Sequence, residues 1–341
     1  MPQSSLTSRR TTLLVAWILA AQSGCIVEGR KGQGAGEPAG GVSTRQFRSQ
    51  ALGTTKHYVV YLPPSYTRDR QRRFPVAFYL HGLDGDETDW TARGHIDKTL
   101  DSLIAAGLPE MILVMPDGDD SWYTTWNFLG DFQGCLKKAP PHRKTESVND
   151  YCVPWPHYDD YIARDLVAHV DSTYRTMADR RHRAIAGLSM GGYGAVWLAI
   201  AYPDVFSAAA SHSGVLAPLL VAYDSTTKRA RYASDMKQIA EQYAYTWPSM
   251  RLAFGRDTLG WWARDPGRRA LARATRVDFP ELYIDVGVED HYLHHSRAFR
   301  DALESVRLRP EYYERSGAHT WPYWQANAVH SLTFMARRVT Q

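Results

Sequence analysis

Apolar positions along the chain follow two rhythms. Nearly unbroken apolar runs occupy residues 57–62, 74–80 and 111–115, punctuated by Pro63, Pro64 and Pro75. Such runs predict strands. Between the last two, residues 96–106 carry apolar side chains at helical spacing. Residues 159–174 repeat that spacing, with Ile162, Leu166, Val167 and Val170 on one face of a long amphipathic helix. Further strands are predicted at 183–186, 205–210, 282–286 and 311–314, and helices at 193–201, 293–306 and 323–338. Strands alternating with helices of this length imply a mostly parallel sheet covered on both faces. One α/β domain therefore accounts for residues 46–341. Two stretches break the alternation. Residues 122–157 are rich in Pro, Gly and charge, and residues 216–280 contain Trp247, Trp261 and Trp262. Long insertions beside such a sheet are read as loops at its ligand end, able to act as lids.

The chain begins differently. Arg9 and Arg10 precede an apolar run from Leu13 to Ala21, followed by Gln22-Ser23-Gly24-Cys25. A cationic start, a short apolar stretch and small residues describe an export signal over residues 1–24. The run is too short for a membrane-spanning helix, which needs ~20 apolar residues. The arginine pair is similar to a twin-arginine signal. Ser23-Gly24-Cys25 is similar to the end of a lipoprotein signal, in which Cys25 would carry lipid and attach the protein to a membrane. Residues 25–45, rich in Gly and Ala, are then expected to form a flexible tether. In an oxidising compartment Cys135 and Cys152, 17 positions apart, would pair. That closure would contribute about 3 kcal/mol.

Composition adds exclusions. Of 341 residues 44% are hydrophobic and 22% charged, with a formal net charge of +4. These values exclude a disordered tail, a collagen-like repeat and a multi-span membrane protein. Removal of residues 1–24 takes away Arg9 and Arg10 and no acid, so the charge falls from +4 to +2. Nothing in that balance calls for a nucleic-acid partner. Oligomeric state leaves no mark.

Gly187-Leu188-Ser189-Met190-Gly191 is a Gly-x-Ser-x-Gly motif. Such a motif arises by chance in roughly one chain in ten of this length, but here a predicted strand precedes it and a predicted helix follows. That is the setting in which a serine sits on a strained elbow with its hydroxyl exposed. A serine needs a base, and the base an orienting carboxylate, in the chain order Ser, acid, His. His319 falls between the last predicted strand and helix. His330 falls inside that helix and reads as packing, while His81 and His212 precede the acid. Asp290 follows strand 282–286 in a turn, with adjacent Glu289 as the alternative; Asp285 lies within the strand and is expected to face away. The cluster Asp290, His291, His294 and His295 reads as a solvated patch rather than a metal site. For the oxyanion, the Met190 N–H follows the nucleophile and the Leu83 N–H follows an early strand, with Gly82 shaping the turn.

Together these residues resemble the esterase D-like branch of the α/β-hydrolases, the Putative esterase family. The likeness rests on Tyr79-Leu80-His81-Gly82-Leu83, the motif extended through Gly192, Gly287-Val288-Glu289-Asp290 and Gly317-Ala318-His319-Thr320-Trp321. Asp160 to Leu166 and Ser211-His212-Ser213-Gly214 complete it. It implies an α/β-hydrolase fold, Ser189 as nucleophile, Asp290 as acid, His319 as base, the Leu83 and Met190 amides as oxyanion hole, and no cofactor or metal. The branch includes feruloyl and acetyl xylan esterases, S-formylglutathione hydrolases and mycolyltransferases. An exported member best fits a serine ester hydrolase acting on feruloyl or acetyl esters of polysaccharide, with Trp122, Trp126 and Trp321 as substrate walls. The alternatives are an acyltransferase and a catalytically silent surface binding protein.

Overall fold

Eight strands pair in the order β1-β2-β4-β3-β5-β6-β9-β10, seen in a computed structural model that describes residues 41–126, 132–137 and 152–340. The strands are β1 (Gly41–Ser49), β2 (Thr54–Leu62), β3 (Val76–Leu80), β4 (Ile112–Pro116), β5 (Arg183–Leu188) and β6 (Ala208–His212), then β9 (Glu281–Gly287) and β10 (Glu311–Arg315). β1 and β2 run antiparallel to their neighbours, and every pairing from β4 to β10 is parallel. Residues 1–24, Cys25 and the Cys135 side chain lie outside the described part; Cys152 is buried.

Alternation along the strands makes two apolar layers. Val76, Phe78 and Leu80 of β3 face one layer, and Ala77 and Tyr79 the other. The first holds α2 (Met190–Ala201), the second α1 (Ile96–Ala105) and α8 (Trp321–Val339). α2 is buried from Met190 to Ile200, because the insertion 216–280 covers its outer side. That insertion holds a hairpin of β7 (Leu220–Asp224) and β8 (Arg229–Tyr232), then helices α3 (Met236–Gln242), α4 (Trp247–Phe254), α5 (Thr258–Ala263) and α6 (Pro266–Arg273). α7 (Leu293–Ser305) follows β9. Among the described residues no helix is long and apolar enough to cross a membrane.

Several sequence expectations are corrected. Residues 41–45, assigned to the tether, are the first half of β1, a largely exposed edge strand held by its backbone register with β2. β6 starts at Ala208 rather than 205, since Val205 and Phe206 turn back onto Tyr202 through their N–H groups. The long helix at 159–174 is interrupted: residues Tyr161–Leu166 widen into a π-helix. The wider turn buries Tyr161 and sends its hydroxyl to the Asp117 carbonyl at 2.9 Å.

Candidate active site

Register brings the chemistry together. Leu80 pairs with Gly187, Leu188 with His212, and His212 with Asp285. The C-terminal ends of β3, β5, β6, β9 and β10 are therefore side by side, the usual ligand end of a parallel sheet. The loops leaving them carry Leu83, Ser189, Ser213, Asp290 and His319.

Ser189 takes φ 52° and ψ −116°, a conformation that L-residues rarely adopt and that turns its side chain up from the elbow. Two contacts hold it there. Its N–H donates to the His212 carbonyl at 2.9 Å. Gly191 presses on β3 so closely that a Cβ would stand 2.4 Å from the His81 carbonyl oxygen and 2.5 Å from that of Leu80. α2 starts immediately at Met190, three residues earlier than its apolar pattern predicts, and so the Met190 N–H is one of the helix's donors without an intrahelical partner.

His319 Nε2 lies 2.9 Å from Ser189 Oγ, and Nδ1 lies 2.9 Å from Asp290 Oδ2. A carboxylate only accepts, so the proton sits on Nδ1 and Nε2 is left to accept the serine hydroxyl. Asp290 Oδ1 accepts the Tyr292 N–H at 2.7 Å. Burial alone would raise the Asp290 carboxyl, but the hydrogen bonds from His319 and from the Tyr292 N–H outweigh it and hold it below the usual carboxylate range. The His319 ring is walled by His291, Tyr292 and Trp324, at 4.6, 5.1 and 4.9 Å between centroids. Glu289, the alternative acid, points elsewhere: its Oε2 accepts the Gly317 N–H at 2.5 Å and ties down the loop that carries His319.

Above these atoms opens a cleft of about 610 Å³. Gly82 and Leu83 border it beside Ser189, and Trp321 lines it. Arg93 lies over the Trp321 ring at 4.8 Å, and Trp90 and Trp324 brace its edges. Trp122 and Trp126 do not line it. Trp122, at φ +58°, drives its ring into the core against Tyr193 and Phe254, with Nε1 donating to Ser249 Oγ at 3.1 Å. Trp126 is half-buried against Tyr158. Tyr245 and Thr246, whose place no sequence periodicity signals, line the cleft as well. The Tyr245 hydroxyl donates to Asp84 Oδ2 across the cleft mouth.

The remaining histidines have other duties. His81 clamps the loop before Leu83: Nδ1 donates to the Gly82 carbonyl at 2.7 Å and Nε2 accepts the Gly118 N–H at 2.9 Å. His212 bonds the buried Asp285 at 2.8 Å, outside the cleft lining. His330 is exposed on α8. His295, expected in a solvated patch, is buried beside Tyr243, and burial pushes its imidazole down to about 4. Asp290, His291 and His319 offer ligand atoms within 4.8 Å of one another. The Asp290 oxygens and both His319 nitrogens are, however, already engaged in the hydrogen bonds above, which fits a proton relay better than a cation site.

The model of the family described as Putative esterase matches residues 49–335. Esterase Rv1288 of Mycobacterium tuberculosis (strain ATCC 25618 / H37Rv) is 28% identical over 284 residues, covering 81% of this chain and 55% of that protein. An endo-1,4-beta-xylanase/feruloyl esterase of Xylanibacter ruminicola is 28% identical over 171 residues, 49% of this chain and 20% of that protein. The chain thus spans about half the length of the first of these relatives and less of the second. A solved ferulic acid esterase superposes with a TM-score of 0.64 at 24% identity, covering 87% of this chain and 98% of that one. That likeness shows the α/β-hydrolase fold.

Proposed function

Because the chain belongs to the Putative esterase family, we propose that it is a serine carboxylic-ester hydrolase working through an acyl-enzyme. The observation that carries this reading is the unbroken hydrogen-bonded line from Ser189 through His319 to Asp290, open to the cleft. His319 Nε2 takes the Ser189 proton as Oγ attacks the ester carbonyl. The tetrahedral oxyanion is held by the Leu83 and Met190 N–H groups, with the N-terminus of α2 adding its dipole. His319 then returns the proton to the leaving alcohol, and the acyl group stays on Oγ. Water, deprotonated by the same nitrogen, attacks the acyl-enzyme and releases the acid. Asp290 keeps the imidazole in the productive tautomer throughout.

The preferred substrates in this reading are feruloyl or acetyl esters of polysaccharide. Support comes from the Trp321 wall and from the similarity to a xylanase/feruloyl esterase. Export through residues 1–24, lipid on Cys25 and pairing of Cys135 with Cys152 belong to the same proposal; mass spectrometry of the mature protein, with and without reductant, tests all three. The activity test is hydrolysis of p-nitrophenyl acetate, butyrate and octanoate and of methyl ferulate, with Ser189→Ala alongside. Turnover that falls by more than about 10³-fold in the variant is expected. Unchanged turnover would overturn the reading, and product formed only when an alcohol acceptor is added would make the protein an acyltransferase.

A further inference from the structure

We propose that Tyr245 and Asp84 determine specificity: their hydrogen bond straps the insertion to the oxyanion loop and limits the bulk of the ester that reaches Ser189. The strap presupposes the serine-hydrolase reading above and sharpens its substrate class. A feruloyl ester of a polysaccharide, bulky on both sides of its carbonyl, must open it; a compact acetyl ester need not.

Tyr245 belongs to the short connection between α3 and α4, which is moored on both sides. Tyr243 is buried, and its carbonyl accepts the Trp247 N–H at 2.7 Å. Trp247 in turn stacks on Trp261, 6.0 Å between centroids at 22°. Tyr245 itself points outward and is 71% exposed, so packing contributes little to where its ring stands. The hydroxyl fixes it, by donating to Asp84 Oδ2. That bond, with a smaller effect from burial, pushes the hydroxyl above the ordinary tyrosine range, so it keeps the proton it donates.

Asp84 is held from the other side. The Gly85 N–H closes the turn onto the Gly82 carbonyl at 3.2 Å. Asp84 takes φ +59°, and its own N–H donates to Asp120 Oδ1 at 2.8 Å. It directly follows Leu83, whose N–H faces the oxyanion, so this end of the strap is one Cα step, about 3.8 Å, from that residue. Asp84 and Tyr245 both border the cleft that holds Ser189 and His319, and they come from elements 161 positions apart. Their bond therefore joins two borders of the cleft. A volume of about 610 Å³ is ample for a feruloyl or octanoyl group, so volume alone would not select between esters. The strap does. Its selection is graded, because an exposed hydroxyl exchanges a protein partner for water at small net cost.

The experiment measures kcat/KM in two series, one with a growing acyl arm (p-nitrophenyl acetate, butyrate and octanoate) and one with a growing alcohol arm (methyl, phenyl and 2-naphthyl acetate). Tyr245→Phe keeps the ring and removes the bond. Its melting temperature should stay within about 2 °C of wild type, since the ring is exposed. Its kcat/KM for the largest ester relative to the smallest should rise roughly tenfold in at least one series. Asp84→Asn keeps an acceptor at a φ that asparagine tolerates and should move the same ratio by less. Tyr245→Phe/Asp84→Asn should match Tyr245→Phe, because both changes act on one bond. A folded Tyr245→Phe protein whose ratios stay within twofold of wild type in both series overturns the proposal, as does a double variant in which the two shifts multiply. Ser189→Ala separates the two levels. If it retains activity, the serine-hydrolase reading has failed; if it is inactive and the ratios do not move, the strap alone has failed.

Discussion

Asp290→Asn isolates what the carboxylate does for His319. Both Asp290 oxygens accept: Oδ1 from the Tyr292 N–H at 2.7 Å and Oδ2 from His319 Nδ1 at 2.9 Å. An asparagine has one carbonyl oxygen for these two donors. If it faces Tyr292, the NH₂ group meets Nδ1, the proton moves to Nε2, and His319 can no longer accept from Ser189. If it faces His319, two donors oppose each other at Tyr292. The charge is lost in either case. Imidazolium and carboxylate charges about 4 Å apart, at an effective dielectric constant of about 20, attract by about 4 kcal/mol, close to three decades of rate. With the tautomer penalty added, kcat should fall about 10³- to 10⁴-fold. The assay is kcat on p-nitrophenyl acetate, with far-UV circular dichroism and a melting curve to show the fold intact. A folded variant within tenfold of wild type would refute the relay. Stability carries its own signature. Because the fold depresses the Asp290 carboxyl, its contribution is present above the ordinary carboxylate range and lost as pH falls through the folded value. The wild type should therefore lose stability in acid more steeply than Asp290→Asn.

Other outcomes follow from burial and packing. Asp265 caps α6 by accepting the Arg268 N–H at 2.8 Å, and burial raises its carboxyl to about 6. Its raised value means stability is full below the ordinary carboxylate range and lost as pH rises toward 6. Relative to wild type, Asp265→Asn should thus gain up to about 3 kcal/mol between acid and pH 8 in denaturant titrations, and a pH-independent difference would contradict this. Trp122→Ala should cost about 3–5 kcal/mol by the same titration, whereas Trp321→Ala should leave stability nearly unchanged and raise KM for methyl ferulate. The reverse pattern would return Trp122 to the substrate wall. Gly191→Ala drives a Cβ into two backbone carbonyls and should give little folded protein on expression; a normal melting curve would show that the elbow can relax.

What the sequence revealed was whatever repeats locally or is fixed by chain order. The sheet's parallel strands are short apolar runs, and Ser189, Asp290 and His319 follow strand ends in a fixed order, so all were legible. β1, β7 and β8 were not, since their side chains are mostly exposed or half-buried and their pairing lies in the backbone. Trp122 and Trp321 look alike in sequence, yet the first, at φ +58°, is buried and the second lines the cleft. Tyr245 reaches Asp84 across 161 positions, a distance over which no local pattern carries information. His81, set aside because it precedes the acid, turns out to hold the loop that presents Leu83.

Ser189, Asp290 and His319 hang from the sheet, while Tyr245 and Thr246 of the cleft lining belong to the insertion 216–280. Strand register fixes the spacing of Ser189, Asp290 and His319 whatever the insertion contains, so selectivity and chemistry can vary independently in this chain. Exchanging the segment around Tyr245 and Thr246 would change which ester fits without moving the relay. The exchange has several moorings to respect: the Trp122 ring packs on Phe254 and bonds Ser249, Arg264 donates to the Thr125 carbonyl while its own carbonyl accepts the Tyr193 hydroxyl, and Arg273 donates to the Ile200 carbonyl. A graft that keeps those contacts is expected, in the proposed serine-hydrolase reading, to leave Ser189 in place and to bring its own specificity.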